Sequence, residues 1–291
     1  MKKIDEYSYE ELLELKKKIT GSTIAIEGAS LEANKGAYSY AWMIIFAVIA
    51  AIMVLIGLYH IRMLPSNQIP STTKKTTSEV GRELVAVIAN FFTKKHIFYY
   101  ICFIILYRLA EGFIMKIAPL FLRASREVGG LGLSLKEIGT LNGVFGSAAF
   151  VLGSLLAGIY VSKFGLKRTL FTLCCIFNLP FVAYTFLAVT QPTNVYLIGT
   201  CITMEYFGYG FGFVGLTLFM MQQIAPGKHQ MSHYAFASGI MNLGVMLPGM
   251  VSGYFSDLLG YRNFFIYVLI ATIPAFLITY FIPFTYDDSK K

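Results

Sequence analysis

Gly158-Ile-Tyr-Val-Ser-Lys-Phe-Gly-Leu-Lys-Arg168 joins two apolar runs. Gly158 closes the first run, Gly165 turns the chain, and Lys167 and Arg168 open the second. As a pattern it reads glycine, a small polar residue four steps on (Ser162), a cation (Lys163), a turning glycine, then basic residues. The pattern returns as Gly253-Tyr-Phe-Ser-Asp-Leu-Leu-Gly-Tyr-Arg-Asn263, with Asp257 in the polar place, Gly260 at the turn and Arg262 in a basic place. From 158 to 253 the offset is 95 residues. Recurrence at a fixed offset means a repeated structural unit, here about three membrane helices long.

The composition sets the solvent. Of 291 residues, 56% are apolar and 14% charged, which only a bilayer accommodates without a polar shell. The net charge of +8 is not a nucleic-acid signature, because the cations collect in short segments between apolar runs. Cys102, Cys174, Cys175 and Cys201 all lie inside apolar runs and read as small buried hydrophobes, so no disulfide is implied. His60, His96, His229 and His233 sit at or near helix ends and read as interfacial or loop histidines. No metal site or cofactor is expected.

Residues 1–37 are expected to be a polar tail or external loop, in which Asp5–Lys18 predicts a short surface helix and no signal peptide is expected. The first span is expected over 38–62. A basic linker over 63–96 follows, and its segment Glu79–Phe92 has Val80, Leu84, Val87, Ile88, Phe91 and Phe92 at helical spacing. That predicts an amphipathic helix on the membrane surface. Six more spans are expected at 97–122, 137–161, 168–189, 194–223, 231–257 and 262–284. Ser134-Leu-Lys-Glu137 matches a capping box at the start of the third span. Seven spans put about twelve cations on the side of the linker and about four on the other, so the first side, with the tail 285–291, is expected to be cytoplasmic.

Four charged residues lie well inside the spans: Arg108, Glu111, Lys116 and Glu205. Charges there are costly and mark function by default. Arg108 and Glu111 are three apart and share a helical face, so they can pair. A carboxylic acid in a low-dielectric cavity can take and release a proton near neutral pH. Glu111 and Glu205 are therefore the expected proton-coupling acids. The bland alternative is a static ion pair and an interhelical hydrogen bond. Lys116 can snorkel to the interface. Asn142, Asn178, Gln222, Gln223 and Asn242 are polar enough to line a cavity or to join helices. Gly210-Phe-Gly-Phe-Val-Gly215 matches a dinucleotide fingerprint only in letters, since no strand precedes it. Such glycines let membrane helices approach closely. Tyr107 and Tyr206, each beside a buried charge, are the aromatic residues best placed to stack on a solute.

The Gly158–Arg168 stretch resembles the loop signature of the major facilitator superfamily, and 253–263 resembles its weaker copy. The usual acid of the signature is Ser162 here, which weakens any charge relay on that side. Tyr107-Arg-Leu-Ala-Glu111, Met204-Glu-Tyr-Phe-Gly208 and His233-Tyr-Ala-Phe-Ala-Ser238 resemble the AmpG-type muropeptide permeases and the related acetyl-coenzyme A transporters. The resemblance implies an all-α, multi-pass fold. Residues 97–284 would be a six-helix C-terminal half, made of inverted three-helix repeats 97–189 and 194–284. Residues 38–62 would be the last helix of an N-terminal half that is otherwise missing. It implies proton-coupled import of a sugar–peptide solute across the inner membrane, with no enzymatic chemistry. Arg108, Tyr107, Tyr206 and Asn142 would bind the solute. Gly158, Ser162, Lys163, Gly165, Lys167, Arg168, Gly253, Asp257, Gly260 and Arg262 would form the gating loops. The expected partners are the solute, protons, lipid and the other half, with no nucleic acid. A seven-helix receptor would also explain the helix count but leaves the repeat as coincidence. A membrane-embedded enzyme lacks a paired catalytic set facing one interface.

Overall fold

The structure, a computed structural model, describes residues 39–63 and 76–286. The expected tail over 1–37, the linker before residue 76 and the last residues 287–291 lie outside the described residues. Regular structure among the described residues is helical throughout, and the protein is an all-α, multi-pass membrane protein. The chain divides into two compact units, 1–74 and 75–291. The first contains α1 (Ser39–Met63), whose 25 residues span about 37 Å, enough for a hydrocarbon core of about 30 Å.

The described residues of the second unit contain ten α-helices. They are α2 (Thr77–Phe92), α3 (Ile97–Tyr107), α4 (Leu109–Arg123), α5 (Leu135–Thr140), α6 (Ser147–Phe164), α7 (Leu166–Asn178), α8 (Phe181–Thr190), α9 (Val195–Phe219), α10 (Gln230–Ala271) and α11 (Ile273–Phe281). A π-helical turn over Leu141–Gly146 joins α5 to α6, and a second, Met220–Ile224, extends α9. Five helical stretches among the described residues are both long and apolar enough to cross a membrane. The sequence reading has seven spans, and the difference has two causes. Residues 195–224 are long enough but diluted by Glu205, glycines and tyrosines. The last stretch, Gln230–Phe281, is two spans counted as one. Within it the rings of Phe255 and Tyr267 stack at 5.3 Å. Twelve residues of straight helix would put about 18 Å between them. The chain therefore doubles back at Gly260, whose φ of 69° and ψ of 160° are non-helical.

Gly165, the other turning glycine, has φ 78° and ψ 148°, nearly the same conformation. Only glycine adopts it without strain. The two copies of the sequence pattern thus share a backbone turn as well as residue types.

Helix starts follow from local chemistry. Ser134 and Glu137 form the expected capping box, with Glu137 Oε2 accepting from the Ser134 backbone N–H at 2.8 Å. Thr76 and Glu79 make a second box at the start of α2. Asn194 caps α9 by accepting from the Tyr196 N–H at 2.9 Å. Of the apolar residues that give α2 its periodicity, Val87 and Phe91 are buried, while Val80, Leu84, Ile88 and Phe92 are exposed. Phe91 packs against Phe236 and His233, both ring centroids 5.7 Å away. His233, read as an interfacial or loop histidine, lies near the start of α10 but is buried, with Nε2 3.3 Å from the Val87 carbonyl oxygen. Of the cysteines, all free, Cys174 is buried but Cys102 is exposed on α3, so burial holds only in part.

The last carbonyls of a helix need outside donors. Lys94 supplies them at the end of the α9 extension, donating to the carbonyls of Ile224 and Pro226. Burial pushes the Lys94 ammonium below its usual value. Gln223 accepts from the backbone N–H of Thr285 at 2.8 Å and of Tyr286 at 3.0 Å, tying the end of the bundle to the same place.

Close helix packing comes from glycine. A Cβ on Gly210 of α9 would stand 2.1 Å from the Phe150 carbonyl oxygen of α6, and one on Gly153 of α6 would stand 2.3 Å from that of Phe207. Gly208 and Gly212 face α7 in the same way, at Ile176 and Phe177. The letters that mimic a dinucleotide fingerprint are thus a packing surface.

Candidate functional site

Two apolar cores meet at the membrane-buried charges. One includes Phe103, Tyr107, Phe177 and Phe219; the other begins along the chain at Ala110 and includes Phe113, Phe121 and Phe265. Between them the crossing made by α3 and α4 breaks at Arg108, whose φ of −104° and ψ of 7° fall near the bridge region. The break sets Arg108 just outside α4 and Glu111 in its first turn, where the helix dipole favours a carboxylate.

Arg108 and Glu111 pair as their spacing predicts. The guanidinium Nε donates to Glu111 Oε2 at 2.5 Å, and Nη2 donates to Oε1. Both residues are buried, at 4% and 6% exposure. The guanidinium carbon also lies 5.4 Å from the centroid of the Phe213 ring on α9. Gly112 presses α4 against α10 beside the pair, since a Cβ there would meet the Val245 carbonyl oxygen at 2.7 Å.

Glu111 opens onto a cavity of about 110 Å³. Asn142, Tyr184, Glu205, Tyr206 and Tyr209 line it as well. Four segments supply these six residues: α4, the first π turn, α8 and α9. Such turns often mark functional sites, because the extra residue re-aims neighbouring side chains. Here the turn carries Asn142, whose Oδ1 is buried without a hydrogen-bond partner. Tyr206 reaches the cavity across Gly146, where a Cβ would stand 2.9 Å from its ring.

Of the residues singled out in the sequence, Glu111, Glu205, Asn142 and Tyr206 come together at this cavity, and Arg108 reaches it through Glu111. Tyr107 does not: it is fully buried in the first core and its hydroxyl donates to the Gly212 carbonyl at 3.0 Å. Lys116 is exposed on α4. The turn residues lie apart, at helix ends. Ser162, Lys163, Lys167 and Arg168 are exposed around Gly165, and Gly253, Asp257 and Arg262 are exposed around Gly260. Ser162 donates to the Ile159 carbonyl of its own helix at 2.9 Å. Two polar residues of the cavity, Tyr184 and Tyr209, were not singled out. Tyr209 follows Glu205 by four residues, so helical spacing puts both on one face. Tyr184 comes from α8, and no local signal ties it to Glu205.

No protein-family model matches the chain. Individual proteins do. The anhydromuropeptide permease of Escherichia coli strain K12 is 23% identical over 209 residues, 72% of this chain and 41% of the permease. A Rickettsia bellii protein named "Putative transporter AmpG 1" is 25% identical over 80% of this chain and 56% of its own length. A Rickettsia prowazekii protein named "Putative transporter AmpG 2" is 27% identical over 68% of this chain and 47% of its own. The chain thus spans about half the length of the curated relatives it matches. Over most of its own length, this multi-pass membrane protein is similar to the AmpG-type permeases.

Proposed function

We propose that the chain acts in secondary active transport of the major facilitator type. It would carry a cell-wall muropeptide or a related sugar–peptide solute, together with protons, across the cytoplasmic membrane. The observation that carries this reading is the cavity, in which a buried Arg108–Glu111 pair and a second carboxylate, Glu205, face one space among apolar helices. Charges held at such cost within a membrane mark ion and solute paths. The names of the similar proteins point to the solute class.

Residues 97–284 would form one six-helix half, with 97–189 and 194–284 as inverted repeats, working against a second half across the solute. Arg108 pairs with both oxygens of Glu111. A solute carboxylate that draws Arg108 away leaves Glu111 unpaired in a dry site, where it takes a proton. Glu205 is the second acid of the coupling set, and Asn142 and Tyr206 contact the solute. Tyr107 steadies the α3–α9 contact behind Arg108. The turns around Gly165 and Gly260 gate the rocking of the helices.

The test is uptake of an anhydromuropeptide into membrane vesicles from cells producing the protein. An imposed inward proton gradient is expected to stimulate uptake, and Glu111→Gln is expected to remove that stimulation. Uptake by Glu111→Gln with unchanged pH dependence would show that Glu111 is not the coupling acid.

A further inference from the structure

The cavity is lopsided in its hydrogen-bonding capacity. Both oxygens of Glu111 are taken by Arg108. Glu205 takes part in no hydrogen bond or ion pair among the described residues, yet it lines the same space. Asn142 Oδ1, on the π turn that borders that space, is buried and unpartnered. A carboxylate and an amide oxygen accept hydrogen bonds and donate none through those atoms. Tyr206 adds an aromatic ring beside Glu205. Unmet acceptors, one of them an acid that a neighbouring cation would hold ionised, next to an aromatic face suit a compact cation with several N–H donors. A bound cation of that kind would relieve an unpaired membrane charge and an orphaned acceptor together.

We propose that the cavity lined by Glu205 and Asn142 holds a subsite for a primary ammonium group of the transported solute. This rests on the reading of the cavity as the solute site, and it separates the two acids: Glu205 meets the solute's cation, and Glu111, released by Arg108, takes the proton. The geometry also sets scale. A cavity of about 110 Å³ is well below the roughly 300–1,000 Å³ of sites that enclose whole drug-sized ligands. It holds one aminoalkyl end of a solute and not a whole sugar–peptide. Glu205 sets the charge preference, and a turn of the Asn142 side chain, whose Oδ1 is closed off in this conformation, supplies the second acceptor.

The experiment is direct binding to the purified full chain in detergent, followed by saturation-transfer NMR. The probe is propylammonium, with 1-propanol as a neutral control of like size and sodium as an inorganic competitor. Propylammonium is expected to bind about tenfold or more tighter than 1-propanol. Glu205→Gln, nearly isosteric, is expected to erase that preference, and Asn142→Leu to weaken propylammonium binding severalfold. Equal binding of the two probes to the unaltered chain overturns the proposal, and this comparison does not depend on any variant folding. So does full propylammonium binding by folded Glu205→Gln. Displacement of propylammonium by an equal concentration of sodium also overturns it, in favour of an inorganic-cation site. No gradient is involved. Failed uptake with retained propylammonium preference therefore counts against transport alone, and the reverse counts against the subsite alone.

Discussion

Arg108→Ala is expected to destabilise the helix bundle by about 3–5 kcal/mol, the typical result of leaving one member of a buried pair uncompensated. The reason is not that the pair itself is strongly stabilising. Two charges lose hydration in a buried, apolar setting, and their attraction roughly offsets that loss. Removing the cation leaves Glu111 without that compensation, and the loss is fullest at high pH, where the carboxylate cannot relieve it by taking a proton. The same bookkeeping predicts an asymmetry. Arg108→Met combined with Glu111→Leu removes both charges, and its stability is expected to return close to that of the unaltered chain, although the proposed coupling to protons would be lost. Thermal melting in detergent, followed by helical circular dichroism, measures both. A single variant that melts with the unaltered chain would mean that the pair at 4% and 6% exposure is in contact with water after all.

The second large effect belongs to the α6–α9 crossing. Gly210→Ala places a methyl group 2.1 Å from the Phe150 carbonyl oxygen, and Gly153→Ala places one 2.3 Å from that of Phe207. Backbone atoms cannot rotate aside as a long side chain can. The helices must separate, and overpacking of this kind costs about 1–3 kcal/mol per site. Glu205 lies on α9, so the displacement also disturbs the cavity. Gly158→Ala on the same helix as Gly153 is the control, because open space surrounds a Cβ there. Its effect is expected to stay within about 1 kcal/mol, the helix-propensity difference between the two residues. Equal melting of all three variants would contradict the crossing described above.

How much of this was legible in the sequence depends on how local each cause is. Apolar runs and their ends were legible, because a bilayer demands continuous helices with satisfied backbones. The capping box at Ser134 was legible for the same reason: its partners are three residues apart. Gly165 and Gly260 were legible as turns, and both have the positive φ that such a turn requires. The Arg108–Glu111 pair followed from spacing along one helix. What depends on two helices meeting was not legible. Tyr107 looked exposed to solute because it neighbours Arg108, but its hydroxyl is spent on Gly212 of α9. Tyr184 joins Glu205 only through the packing of α8 on α9. His233 is buried because α2 folds onto α10, a contact that no periodicity announces. The π turn that presents Asn142 leaves no mark in a pattern of apolar residues, since the helix it opens is apolar on every side and has no stripe whose phase could shift.

The equivalence of the two glycine turns can be tested without any solute. The inverted three-helix repeats proposed above would place three crossings between Gly165 and Gly260, and an odd number of crossings would put them on opposite faces of the membrane. Cysteines introduced as Ser162→Cys and Asp257→Cys, in a background with the four native cysteines replaced, report this directly. In sealed right-side-out vesicles, a membrane-impermeant maleimide is expected to label position 257 from outside, and position 162 only after the vesicles are opened. Labelling of both positions from the same face would contradict the repeat, and with it the assignment of the cavity to a carrier of this type.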